Sequence, residues 1–321
     1  MGSFMFAMVR RSALACALVA FAGASLHAQD PGPTLAQLAH RAWTIRDGAP
    51  GGVAALAQSA DGFLWIGTRT GLYRFDGVRF EEFEPPSGQA LLSRSVSALL
   101  PLPDGSFWVG YSFGGVSLLA GGHVVSYGAR DGLPAGTVAA FARDSDGGVW
   151  AATTTGLARF SGGAWRRVGV ERGFPGGLTS DLLVDRRGVL WASEITGVFV
   201  LPRGARRFVW RARSLDVAPG GFGMPREAPD GSVWGASATL GIVPLSDSSG
   251  GPPRAETYRT RGVEGFLIDR RANAWITGIS GRLMRIPLPA GLGATATTGS
   301  AEWQTLPMSR VTGMSGSAVY V

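Results

Sequence analysis

Six tryptophans stand at Trp65, Trp108, Trp150, Trp191, Trp234 and Trp275, separated by 43, 42, 41, 43 and 41 residues. A period of this length is the mark of a supersecondary unit that cannot bury its own apolar faces and must stack on copies of itself. A tight-turn dipeptide precedes five of the six: Asp61-Gly62, Asp104-Gly105, Asp146-Gly147, Arg187-Gly188 and Asp230-Gly231. Before Trp275 it degenerates to Ala272-Asn273. A second break follows each tryptophan, at Gly71, Gly114, Gly156, Gly197, Gly241 and Gly281.

Within one unit, the segments Val53 to Gln58, Phe63 to Thr68, Leu72 to Phe75 and Val78 to Phe83 are short and mostly apolar or alternating, with turn signals between them. This predicts four strands joined by hairpins. A four-stranded meander of about 40 residues is one propeller blade. The expected fold is therefore all-β: a β-propeller of four-stranded antiparallel blades, six of them complete and a seventh incomplete. The 49 glycines and 19 prolines suit a chain that turns this often. A solenoid is the competing architecture, but it normally uses shorter units and parallel strands.

Both ends suggest how the seventh blade is built. Residues 40–47 align with 124–131 and with 166–172, so they read as an outer fourth strand without its first three. The run 315–321 resembles the start of another first strand. The propeller is thus expected over residues 40–321, with a partial blade from 40–47 and 315–321. This leads to the expectation that the chain is the front portion of a longer product.

Residues 1–28 have the order of a secretory signal: Arg10 and Arg11, an apolar run from Ser12 to Leu26, and Ala28 before Gln29-Asp30. Residues 29–39 form a lead segment. Export to the periplasm is the expected fate, with an uncleaved anchor as the alternative. Cys16, the only cysteine, lies inside this run, so the mature chain has no disulfide. No later stretch is long and apolar enough to span a membrane.

The run from Val53 to Gly77, with Trp65, Gly67, Gly71 and Asp76-Gly77 in place, resembles the two-component regulator propeller repeat. The preceding Ala42-Trp43-Thr44-Ile45-Arg46-Asp47-Gly48-Ala49-Pro50 is similar to that family's usual leader. The resemblance implies a periplasmic ligand-sensing propeller of a sensor histidine kinase, a hybrid two-component regulator or a diguanylate cyclase. It also implies self-association of the kind sensor receptors use. The output kinase or cyclase has no counterpart in these residues, so no enzyme activity is expected. The repeats are not of the WD type, because none of the six tryptophans is followed by Asp.

Signatures of chemistry are sparse. The three histidines have no metal-ligand spacing, and neither a metal nor another cofactor is expected. All 30 basic residues are Arg, which excludes a phosphate loop with its lysine. Glu81 and Glu82 read as a solvated edge rather than a general acid and base. The cluster Arg203, Arg206, Arg207, Arg211 and Arg213 reads as protection of an outer strand, with an anionic contact as the alternative. Nucleic acid is not an expected partner, since no aromatics interleave with the basic residues at a groove-reading spacing.

Strand order points to one face for a ligand. In a blade whose first strand is innermost, the loops between strands two and three share a face with the links between blades. Those loops supply the candidate ligand-binding residues Arg69, Tyr111, Phe113, Thr154, Glu194, Thr239 and Ser280. Hydroxyls, one Arg, one Glu and a Tyr for stacking would suit a small polar molecule such as a saccharide. The bland alternative is that such residues only satisfy turn backbones. In function, a sensor propeller is expected. The alternative is an exported propeller lyase or hydrolase acting on a glycan or cyclic ester, for which Tyr111 with Arg69 nearby is the candidate base.

Overall fold

The computed structural model describes residues 41–213, 222–237, 241–246, 249, 251, 263–278, 282–288 and 304–307. The signal expected at 1–28, the lead segment expected at 29–39 and the strand expected at 315–321 lie outside the described residues.

The tryptophan period does mark blades. Blade one comprises β1 (Val53–Gln58), β2 (Leu64–Thr68), β3 (Leu72–Phe75) and β4 (Phe80–Glu82), hydrogen-bonded in that order. Blade two is β5 (Val96–Pro101), β6 (Phe107–Tyr111), β7 (Val116–Ala120) and β8 (His123–Tyr127). Blade three is β9 (Val138–Arg143), β10 (Val149–Thr153), β11 (Gly156–Ser161) and β12 (Ala164–Val168). Blade four is β13 (Thr179–Val184), β14 (Leu190–Glu194), β15 (Gly197–Leu201) and β16 (Val209–Arg213). Blade five shows three strands among the described residues, β17 (Phe222–Glu227), β18 (Val233–Ser237) and β19 (Gly241–Ser246). Blade six is β20 (Val263–Ile268), β21 (Asn273–Gly278), β22 (Arg282–Pro287) and β23 (Gln304–Pro307). All pairings are antiparallel, and the first strands β1, β5, β9, β13, β17 and β20 neighbour one another in turn around the propeller axis.

Alternation along each second strand explains the packing. Trp108 points toward blade three and joins Leu133, Val138, Val149 and Trp165. Phe107, Val109 and Tyr111 point the opposite way, into a core with Ala57 and Leu72 of blade one. Trp150, Trp191 and Trp234 likewise fill the boundaries toward blades four, five and six. The tryptophans are thus core, and the residue two places after Trp65 and Trp108 is glycine because the next blade's first strand is close. A Cβ on Gly67 would stand 2.5 Å from Val96 Cγ1, and one on Gly110 would stand 2.6 Å from Val138 Cγ1.

Four of the indoles are latched by the residue six places earlier, at the end of the first strand. Trp65 Nε1 donates to Ser59 Oγ at 3.0 Å, and Trp150, Trp191 and Trp275 donate to Asp144, Asp185 and Asp269 at 2.8, 3.0 and 2.9 Å. Each aspartate also accepts the amides of its own turn, as Asp185 does from Arg187 and Val189. Burial by itself would raise these three carboxyls. Hydrogen bonds from the indoles, from the turn amides and from Arg159 or Arg187 outweigh it and hold all three below the ordinary value.

One element differs from the sequence reading. Residues 41–44 form no strand, and Ile45–Asp47 is a 3-10 turn that Thr44 caps. The alignment that suggested a strand does hold for the turn itself, since Ala129–Asp131 and Val170–Arg172 are 3-10 turns at the matching positions. A strand needs a neighbour to pair with, and here the leader is held by a ring contact instead. Trp43 meets Phe75 of β3 edge-on at 5.0 Å, as Tyr127 meets Phe160 of β11 at 5.3 Å.

The turn glycines before the tryptophans, Gly62, Gly105, Gly147, Gly188 and Gly231, have φ between 76° and 92°; Ala272 holds the same position at 59°. An L-residue there is strained by about 1 kcal/mol, so Ala272→Gly should raise the melting temperature. A decrease would show that the alanine methyl's packing outweighs its backbone strain. The depressed aspartates give stability that is complete above the unfolded carboxylate value near 4 and is lost as pH falls through their lower folded values. Melting curves should therefore drop below about pH 4. Asp185→Asn should melt lower than wild type at pH 7, with the gap closing at acid pH; a gap independent of pH would contradict the latch.

Candidate functional site

The antiparallel order of each blade separates two faces. One carries the Asp-Gly turns, where the carboxylates are consumed by their own backbone, as Asp76 is by Val78 and Arg79. The other carries the loops between second and third strands together with the links between blades.

On this second face a repeated latch ties each loop to the link beside it. Ser112 N donates to Ser95 O at 2.9 Å, Thr154 N to Thr137 O at 3.0 Å and Ile195 N to Leu178 O at 3.1 Å. Side chains add to it: Thr155 Oγ1 donates to Ala135 O at 2.6 Å, and Thr137 Oγ1 donates to Ser112 O. The loop backbones are pinned, and side chains beyond the latch remain available. Arg69 and Thr154 are exposed, and Phe113 is 88% exposed. These three belong to blades one, two and three and share the face. Thr239 and Ser280 lie outside the described residues.

Tyr111 departs from its expected role. It is 0% exposed in the core between blades one and two, where its hydroxyl donates to Ser117 Oγ at 2.8 Å. Burial pushes its phenol up to about 12, against the opposing pull of that hydrogen bond. It can neither stack on a ligand nor serve as a base. The sequence suggested otherwise because it is the last residue of its strand; alternation turns it inward.

Glu194 is 3% exposed at the end of β14. Its Oε2 accepts from Thr196 N at 2.7 Å and from Thr196 Oγ1 at 2.5 Å. The matching residues Thr68 and Thr153 make the same loop latch with a hydroxyl, accepting from Thr70 N and Thr155 N.

The innermost strands hold a feature that sequence reasoning missed. Each carries one extra residue near the link face, so that its pairing with the second strand slips: Ala54, Ser97, Ala139, Ser180 and Glu264, with Met224 and Pro225 together facing one residue in blade five. Bulges re-aim side chains and interrupt pairing. Here they ring the axis at one end, with Ser97 Oγ donating to Val138 O of the next blade at 2.7 Å.

Just inside that ring lies an ion pair. Asp181 stands where other blades have Ala55, Ala98, Ala140 and Gly265, and Arg226 where they have Ala57, Leu100, Ala142, Leu183 and Leu267. Arg226 Nη1 donates to Asp181 Oδ2 at 2.9 Å, and its Nε donates to Phe266 O at 3.1 Å. One guanidinium therefore joins blades four, five and six. The signal was present in the sequence as two charges at positions that are otherwise small or apolar.

Several other polar side chains are paired. Glu81 pairs with Arg74 at 2.7 Å, and Glu82 pairs with Arg94. Arg211 donates to Leu245 O of blade five at 3.0 Å, and Arg207 to Glu171 O at 3.2 Å. Arg203 and Arg206 are exposed; the side chain of Arg213 lies outside the described residues. His123 is exposed on the outer strand β8, away from the axis. No group of three or more His, Cys, Asp or Glu with the geometry of a metal site occurs among the described residues, and none of their helices is long and apolar enough to cross a membrane.

Residues 132–155, from the link before blade three through its second strand, match the family described as two component regulator propeller. That one repeat, in blade three, is of the two-component regulator propeller type. No curated protein matches the chain by sequence. Among solved structures, the extracellular domain of a hybrid two-component system from B. thetaiotaomicron is similar at 17% identity and TM-score 0.50, over 76% of this chain and 41% of that one. The chain thus spans less than half of that protein. A virginiamycin B lyase from Staphylococcus aureus, solved as an inactive variant with quinupristin, is similar at 14% identity and TM-score 0.61, over 84% of this chain and 88% of that one. At these identities the likeness is one of fold.

The Asp181–Arg226 pair makes a testable claim about the axis. Arg226→Leu alone should cost about 3 kcal/mol, because it leaves a mostly buried carboxylate without its partner. The double change Asp181→Ala with Arg226→Leu, which restores what other blades carry, should recover most of that loss. Additive losses in urea unfolding would show that the two do not act as a pair.

Proposed function

We propose that this propeller is the periplasmic sensing module of a two-component or diguanylate cyclase receptor, and that it binds a small polar molecule on the link face. The chain reaches that compartment by the signal at residues 1–28. The observation that carries the reading is the asymmetry between the two faces. One face spends its carboxylates on its own turns, whereas the other pins its loop backbones and leaves Arg69, Phe113 and Thr154 unspent. Pre-organised polar and aromatic groups on a fixed frame are what a binding site needs. The repeat type and the fold shared with a two-component extracellular domain support the signalling context.

A saccharide suits the hydroxyls and the exposed aromatic of this face. The lyase reading draws on the fold of the S. aureus enzyme, but its one candidate base, Tyr111, is sealed in the core. The binding proposal is tested by a thermal-shift screen of neutral mono- and oligosaccharides, followed by titration of any hit. Arg69→Ala and Phe113→Ala should each weaken binding about tenfold, the scale of one hydrogen bond or stacking contact, without lowering the unliganded melting temperature. Unchanged affinity in both variants would remove the site from this face.

A further inference from the structure

Glu194 has more charge than its structural task requires. The loop latch at the end of a second strand is made by the neutral hydroxyls of Thr68 and Thr153 in blades one and three. In blade four a carboxylate does the same work with Oε2 alone. Among the described residues no Arg or His forms an ion pair with Glu194 and Oε1 accepts no hydrogen bond, and Oε1 is not sealed from solvent. For holding the loop, the second oxygen of the carboxylate adds nothing that a Thr hydroxyl lacks.

The surroundings of Oε1 show what could supply a counter-charge. Oε1 lies beneath the link Gly176-Gly177, where a Cβ on Gly177 would stand 3.0 Å from it, while above Gly176 there is open space. Both glycines have positive φ, 78° and 98°, so the link is bare backbone at the point where a ligand would approach. Its rim is apolar: Leu178 and Ile195 are both exposed, and Ile195 N donates to Leu178 O at 3.1 Å, which holds them side by side. A carboxylate oxygen that solvent reaches, a bare backbone approach and an apolar rim fit a protonated primary amine attached to an aliphatic or ring skeleton.

We propose that Glu194 is the recognition group for such an ammonium, so that the ligand of the link face carries a positively charged amine beside its apolar part. This rests on the small-molecule reading above and narrows its chemistry. The carboxylate accepts the ammonium through Oε1 while Oε2 keeps the loop in place. Leu178 and Ile195 cover the carbon skeleton.

Two measurements test it. Without ligand, Glu194→Thr, which restores the latch of blades one and three, should leave the melting temperature unchanged or higher. A lower value would make Glu194 a structural latch and overturn the proposal. In calorimetric titrations of the whole chain at pH 7, hexylammonium should bind at least tenfold more tightly than 1-hexanol, and Glu194→Gln, which keeps an acceptor for Thr196, should abolish the difference. Equal affinity for the two probes, binding of neither, or an unchanged preference in Glu194→Gln would overturn it. Because neither probe is a sugar, saccharide binding in the earlier screen would leave the broader reading standing even if this one fails.

Discussion

The fold depends on the burial of an indole from the second strand of each blade, against the next blade in blades one to five, and in blades one, three, four and six the N–H returns to the end of its own first strand. The first part supplies most of the energy, since an aromatic of this size covers more apolar area than any other residue of the unit. The second fixes direction. A tryptophan in a dry boundary must find an acceptor for Nε1, and an acceptor six residues earlier orients the ring toward the neighbouring blade. Asp144, Asp185 and Asp269 therefore do two things at once: they shape the turn and they aim the ring. Trp234 finds Ser232 instead, two residues before it, and still points into the same kind of boundary.

The same arrangement explains why function collects on the other face. Carboxylates that accept turn amides and indoles have little capacity left for a ligand. On the link face backbone latches and a few Thr hydroxyls hold the frame, and side chains such as Arg69 and Phe113 are not needed for it. The inner bulges belong to this end of the propeller as well. They interrupt strand pairing around the axis at the level where the links enter, which opens polar backbone to whatever occupies that region.

Much of this was legible in the sequence. The period, the Asp-Gly turns and the glycine breaks specify a four-stranded meander because turn chemistry and strand alternation are local properties. The loops of the link face could be named for the same reason. The fate of individual residues there was less accessible. Tyr111 and Glu194 occupy the same position in two blades, three residues after the tryptophan, yet one fills a core and the other latches a loop with an oxygen to spare. Residues 40–47 read as a strand because their relatives at 124–127 are one; whether a segment pairs is decided by its neighbour, not by its own composition.

The sequence by itself determined the repeat, the number of strands in each unit and the face on which variation is allowed, because each follows from spacing within about 40 residues. Tertiary structure alone decided which side chains are spent and which remain. The Asp181–Arg226 pair joins residues 45 positions apart, and Arg226 reaches Phe266 a further 40 away. Such contacts exist only once blades stand side by side. The unspent oxygen of Glu194 also becomes visible only there, since it depends on where the neighbouring link stands relative to the carboxylate.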